Sequence, residues 1–188
     1  MSIRRIHDEK GIAYFITITC YEWIPLIELS NLYDCIYSWF ARLNKENELL
    51  LGYVIMPNHL HLLIYHQDPI RPSNKIIGEG KRFLSYEIIK RLKNNEGSTL
   101  LTRILSDFIS NREKQKGQKH KVWFDSFDAK PCYSRRVIEQ KLDYIHENPV
   151  LGSWNLVKDF AKFQYSSAAY YELGNHDPYL THYMDFYG

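Results

Sequence analysis

Apolar positions in this chain recur with a period of two in some stretches and of three to four in others, and the switches between the two mark the elements. Residues 12–20 (Ile-Ala-Tyr-Phe-Ile-Thr-Ile-Thr-Cys) are β-branched and aromatic and predict a strand. Ser30 is placed to cap a helix reaching about Asn44, with Leu32, Ile36, Trp39, Phe40 and Leu43 on one stripe. Leu49–Met56 and Leu60–His66 predict two further strands joined at Pro57-Asn58, a turn signal. After a break marked by Pro69, Pro72 and Ser73, a helix is expected from about Asn74 to Lys93, with Ile77, Phe83, Leu84, Ile88 and Leu92 inside.

Asn94-Asn-Glu-Gly97 punctuates the chain. Thr99 to about Arg112 is periodic again through Leu101, Ile104, Leu105 and Phe108, and residues 113–120 are polar, basic and loop-like. Val122-Trp-Phe-Asp-Ser-Phe127 predicts a last strand, and Ser134 can cap a helix through Glu147 that stops at Asn148-Pro149. The order is strand, helix, strand, strand, helix, insertion, strand, helix. It predicts an α+β fold, the ferredoxin-like β-α-β-β-α-β plan with an antiparallel sheet. The helical and basic insertion covers about 94–121, ahead of the last strand, and a tail follows from about 172 to 188. No repeat or linker divides residues 1–188, so one domain is expected.

Composition changes this picture little. A 188-residue chain that is 45% hydrophobic and 24% charged is of the globular kind. No apolar run approaches the ~20 residues of a membrane span, so no membrane partner is expected. The N-terminus lacks a signal-peptide core, and Cys20, Cys35 and Cys132 show no paired spacing. A reduced, cytoplasmic protein is the expectation. Charge is more telling once divided along the chain. Residues 75–136 hold 15 Lys+Arg against 7 Asp+Glu, a balance of +8, and the remainder holds 9 against 15, a balance of −6. A basic face able to track phosphates fits this asymmetry, although lysines that merely solvate exposed helices would produce it too. The candidate tracking residues are Lys81, Arg82, Lys90, Lys93, Lys114, Lys116, Lys119, Lys121, Arg135 and Arg136, with Trp123 and Phe124 as stacking or core aromatics.

The candidate chemistry lies in Met56-Pro-Asn-His59-Leu-His61. Two histidines two apart on a strand point to the same face of the sheet and supply two neutral imidazole ligands. On the last helix, Tyr144 and Asn148 are four apart and share a face with Lys141, off the Ile138–Leu142–Ile145 stripe. The amide oxygen of Asn148 could be a third metal ligand and the Tyr144 phenol a nucleophile. Read singly, each has a plainer role: a His-x-His pair can be structural, and an Asn before Pro can simply stop a helix. His66 lies out of phase with His59 and reads as structural, while His146 points elsewhere on its helix. Gly78-Glu-Gly-Lys81 lacks the spacing of a phosphate loop, and Arg82 stands where Ser or Thr should follow.

Three segments carry a family resemblance: Tyr53-Val-Ile-Met-Pro-Asn-His-Leu-His-Leu-Leu63, Tyr144-Ile-His-Glu-Asn-Pro149 and, weakly, Tyr165-Ser-Ser-Ala-Ala-Tyr170. With the element order, the chain resembles the single-tyrosine HUH transposases over most of 10–172, and most nearly their REP-associated tyrosine transposase branch. The resemblance implies His59 and His61 as the histidine pair, Asn148 as the third ligand of Mg²⁺ or Mn²⁺, and Tyr144 as the nucleophile. It implies cleavage and rejoining of single-stranded hairpin DNA through a 5′-phosphotyrosine intermediate. It also implies a monomer acting in cis, in preference to the site-sharing homodimer of the minimal insertion-sequence members. Leu151-Gly-Ser-Trp-Asn-Leu-Val departs from the family's usual stretch after Asn-Pro. Two other readings of the same residues are a zinc metallohydrolase built on His59 and His61, and a nucleic-acid-binding module without turnover.

Overall fold

The computed structural model describes residues 9–67, 72–94, 99–115, 117–125, 128–152 and 154–187. Pro69, the Asn95-Glu96-Gly97 turn and Lys116 lie outside them. Strands β1 (Ile12–Thr19), β2 (Glu48–Ile55), β3 (His59–His66) and β4 (Asp128–Cys132) form one antiparallel sheet in the order β2-β3-β1-β4. The helices are α1 (Leu26–Leu29), α2 (Tyr33–Lys45), α3 (Ser73–Asn94), α4 (Thr99–Asp107), α5 (Asn111–Gln115), α6 (Arg135–Glu147), α7 (Ala168–Leu173) and α8 (Met184–Tyr187). The fold class is the one expected from the sequence.

The two-residue period of the strands feeds two cores. Tyr14, Ile16 and Ile18 of β1 and Leu60, Leu62 and Ile64 of β3 face α2 and α3, meeting Trp39, Phe40, Leu84 and Ile88. Ala13, Phe15 and Leu63 face the other way, onto Ile138, Leu142 and Ile145 of α6. His59 and His61 are in phase with Leu63, so they lie on the α6 face.

A bulge in β2 between Leu50 and Gly52 shifts the register by one, and α6 crosses the sheet there. A Cβ at Gly52 would come within 2.4 Å of a Leu142 methyl, so glycine sets how near α6 lies to the sheet. Gly80 has a similar purpose on α3: a Cβ there would meet the Trp39 ring at 2.3 Å. Within the Gly78–Lys81 run, Gly80 is therefore a packing feature.

Several sequence-based boundaries differ from the structure. The last strand is Asp128–Cys132, not 122–127; Ser126 and Phe127 lie outside the described residues. Val122 and Trp123 are buried, and Trp123 only bridges Cys20. Pro131 disguised the true strand, which tolerates proline because it forms the sheet's edge. The helix expected over 99–112 is two helices. Ser110 separates them, its backbone N–H bonding Glu113 and the Glu113 N–H bonding the Ser110 hydroxyl, a capping box that starts α5. Ser30 does not cap α2 but closes α1, its hydroxyl donating to the Leu26 carbonyl at 2.6 Å. Phe83, expected inside, is 39% exposed. The C-terminal segment packs back on the sheet, where Phe186 stacks on Tyr65 at 4.0 Å and the Ala13 N–H donates to the Tyr187 hydroxyl.

Candidate active site

The Pro57-Asn58 turn is held on both sides. The Asn58 carbonyl accepts from the Cys20 N–H at 2.8 Å, and the Pro57 carbonyl from the Ile27 N–H at 3.1 Å. This fixes where β3 begins and hence where His59 stands. The Asn58 side chain reaches both ways: Nδ2 donates to the Trp23 carbonyl at 2.8 Å, and Oδ1 accepts from His59 Nδ1 at 2.7 Å. An amide oxygen can only accept, so His59 carries its proton on Nδ1 and keeps the Nε2 lone pair. His61 Nδ1 lies 3.0 Å from the hydroxyl of Thr17, its partner across the β1–β3 ladder. With that nitrogen occupied, Nε2 is again the ring atom left for a ligand.

Both imidazoles are buried, and their ring centres are 4.7 Å apart. Burial pushes His59 down from 6.5 to about 4, tempered by the Asn148 amide against it. His61 is pushed to about 3, first by burial and then by the charges of His59 and Lys141. Near neutral pH both are uncharged, the form in which imidazole binds metal.

Helix α6 supplies the opposite wall. Its stripe of Ile138, Leu142 and Ile145 is buried, which turns Tyr144 outward, 44% exposed, with its ring 5.1 Å from that of His61. Phe15 packs beside both, stacked on His61 at 5.2 Å and edge-on to Tyr144 at 5.8 Å. Asn148 follows one turn later, at the start of a 3₁₀ turn whose second residue is Pro149. Its Oδ1 is buried against the His59 imidazole and has no other hydrogen-bond partner. Such an under-satisfied acceptor is unfavourable unless something binds it. Two neutral imidazoles and this oxygen fit a divalent cation. Among the described residues no group of three His, Cys, Asp or Glu side chains gathers to hold a metal, so the third ligand here would be the amide.

The cleft so formed holds about 650 Å³ and is lined also by Trp23, Lys130, Lys141 and Trp154. Lys141 places its ammonium 4.7 Å from the Phe15 ring centre and 5.9 Å from that of Tyr144. Lys130 pairs with Asp128 at 3.2 Å.

None of the described candidate tracking residues on the basic segment lines this cleft. Arg82, Lys90, Lys93, Lys114 and Lys119 are exposed, as are Arg135 and Arg136 at the start of α6. Lys90 pairs with Glu87, and Arg135 with Glu139. Lys81 donates to the Phe124 carbonyl. Lys121 corrects the expectation: it is buried and paired with Glu113 at 2.8 Å and Asp125 at 3.1 Å. Trp123 is core, its indole donating to the Lys81 carbonyl at 2.9 Å, and Phe124 packs on Tyr21. Of the two lysines that line the cleft, Lys141 had been placed on the Tyr144 face by the helical repeat, and Lys130 was missed. Only Lys141 carried a signal, one turn before Tyr144.

The remaining sequence features are structural. His66 is bonded to buried Glu48 at the other end of β3. His146 is buried beneath α6, with Nε2 3.0 Å from the Ser167 hydroxyl. The Tyr165–Tyr170 segment pairs along the outer edge of β2: Ile55 N–H donates to Tyr165, and Ser167 N–H to Tyr53.

A four-stranded antiparallel sheet thus presents a His-Leu-His pair to a tyrosine-bearing helix. Among solved structures, a REP-associated tyrosine transposase bound to a REP hairpin matches with a TM-score of 0.57, over 89% of this chain and 82% of that one, at 16% identity. At this identity the likeness is one of fold, and it agrees with the resemblance that the motifs carry. A candidate transposase from Deinococcus radiodurans R1 matches at a TM-score of 0.35 and 18% identity, over 79% of this chain and 97% of that one, too weak to carry an argument. No protein-family model and no curated protein matches the sequence.

Proposed function

We propose that this chain is a metal-dependent transesterase that cleaves and rejoins single-stranded DNA at hairpins, with Tyr144 as nucleophile. The observation that carries the reading is the convergence of His59, His61, Tyr144 and the buried Asn148 oxygen in one cleft. The fold shared with a transposase bound to a hairpin supports it.

His59 Nε2, His61 Nε2 and Asn148 Oδ1 would hold the cation. When bound, it supplies Lewis-acid polarisation of the scissile phosphate. A ligand set of two imidazoles and one amide oxygen suits Mn²⁺ better than Mg²⁺, so Mn²⁺ should support the faster reaction. The Tyr144 oxygen attacks phosphorus, forming a phosphotyrosine ester as the P–O3′ bond breaks. The phenolic proton leaves Tyr144 and the departing O3′ ends as a hydroxyl. A 3′-hydroxyl from another strand end reverses the exchange and frees Tyr144. A phenol of pKa near 10 is a weak nucleophile at neutral pH. Lys141, against the Tyr144 ring, favours the charge that develops on the phenol and phosphate. His61 and Tyr144 meet within one chain, which supports a monomer acting in cis.

The test is incubation of labelled single-stranded hairpin DNA with the protein and Mg²⁺ or Mn²⁺, resolved on a denaturing gel. A covalent adduct is expected that is lost in Tyr144→Phe and in His59→Ala, and slowed about 10- to 100-fold in Lys141→Met. Metal-dependent cleavage with no adduct would identify a metallohydrolase instead, and binding without cleavage a recognition module.

A further inference from the structure

Two of the four tryptophans stand against the candidate metal-binding face. The Trp23 ring centre lies 5.9 Å from that of His59 and the Trp154 ring centre 6.0 Å from it, and both indoles line the cleft. Trp39 and Trp123 are buried. Trp23 is unusual in two respects. Its side chain is 58% exposed, although an indole gains most by burial. Its backbone is left-handed, with φ of 57°, and follows Glu22 at φ of 52°. Left-handed backbone at a bulky residue is rare and persists only where its surroundings impose it. Here they do: the Trp23 N–H donates to the Cys20 carbonyl at 3.1 Å, and its carbonyl accepts from Asn58. Asn58 is also the residue that orients His59. One amide therefore fixes both the ligand nitrogen and the loop that holds an aromatic face out into the cleft.

We infer that Trp23 and Trp154 receive an unpaired nucleobase beside the phosphate held at His59 and His61. This rests on the reading of the cleft as a single-strand DNA site and adds how the strand is gripped there. Bases bind aromatic faces in a sequence-tolerant way, because every base offers a π-face. Stacking one nucleotide against the His59 side turns the adjoining phosphate toward Tyr144. It also requires the base to be out of a duplex, so the two indoles select unpaired DNA.

The test uses the full chain in EDTA, so that binding is read without cleavage. Indole fluorescence is titrated with an oligothymidylate of about 15 nucleotides and with an abasic oligonucleotide of equal phosphate count. The wild type should bind the thymidylate roughly 5- to 150-fold more tightly than the abasic strand, with quenching. Trp23→Ala and Trp154→Ala should each reduce that ratio, and Trp23→Phe should restore most of it. The double alanine variant, whose remaining indoles are buried, should lose the quenching. Equal affinity of the wild type for the two strands, binding of neither, or an unchanged ratio in both alanine variants overturns the inference. The two readings fail separately. Indole-dependent binding with no adduct under any metal sinks the transesterase alone, and adduct formation with unchanged affinity ratios sinks the platform alone.

Discussion

Asn58 is the residue on which most of the site depends while touching no reacting atom. Its oxygen holds His59 in one tautomer, and its nitrogen holds the Trp23 turn. An imidazole without such a partner rotates and spreads its proton over both nitrogens. Asn58→Ala should therefore lower the rate of adduct formation about 10- to 100-fold, with partial recovery at high Mn²⁺. Single-turnover kinetics across a metal titration checks this. A rate unchanged at all metal concentrations would show that His59 needs no such orientation. His61 is held instead by Thr17, a strand neighbour in β1. The two histidines thus depend on different parts of the chain.

At the scale of elements, the site exists because α6 lies close against β2 and β3. Gly52 permits that approach, and Leu142 occupies the space a side chain there would need. Gly52→Ala should destabilise the fold by about 1–3 kcal/mol through overpacking and move Tyr144 away from His61. Adding Leu142→Ala should recover part of the loss, a non-additivity readable by urea denaturation of the two single variants and the double. Strict additivity would mean that the contact is not what limits the approach. At this scale too, the last strand was misplaced. An apolar Val122-Trp123-Phe124 run looks like a strand. Yet its backbone serves only isolated contacts with Thr19, Cys20 and Tyr21, while Trp123 fills the gap between α3 and the sheet. Lys121 was misread for a related reason. A lysine in a basic run looks exposed until the fold brings Glu113 and Asp125 around it.

Across the whole molecule, three neutral histidines are buried on the α6 side: His59, His61 and His146, the last pushed by burial from 6.5 to about 4. Each has a folded pKa below its unfolded value, so the unfolded chain takes up protons that the folded one refuses. Their contribution to stability is complete above about pH 6.5 and is lost as pH falls toward about 4 for His59 and His146 and about 3 for His61. His146 lets this be measured apart from any metal ligand. In EDTA, His146→Gln should flatten the fall in stability between about pH 6 and 5 by up to one proton, about 1.4 kcal/mol per pH unit. Urea denaturation over that range would show it. An unchanged slope would mean that His146 takes up a proton in the native state.

What was legible in the sequence alone is what depends on periodicity along the chain. Strand alternation put His59 and His61 on one face, and the helical repeat put Tyr144 four residues before Asn148 and off the apolar stripe. The order of elements followed from the same periods. Tertiary structure decided what periodicity does not encode, namely which surfaces meet. It brought the Tyr144 face of α6 over the histidines, left the Asn148 oxygen buried against His59, buried Lys121, and set Lys141 and Trp23 in the cleft. Trp23 is the extreme case. Nothing in Tyr21-Glu-Trp-Ile-Pro25 announces a left-handed turn, because the Asn58 side chain that holds it arrives from more than thirty residues away.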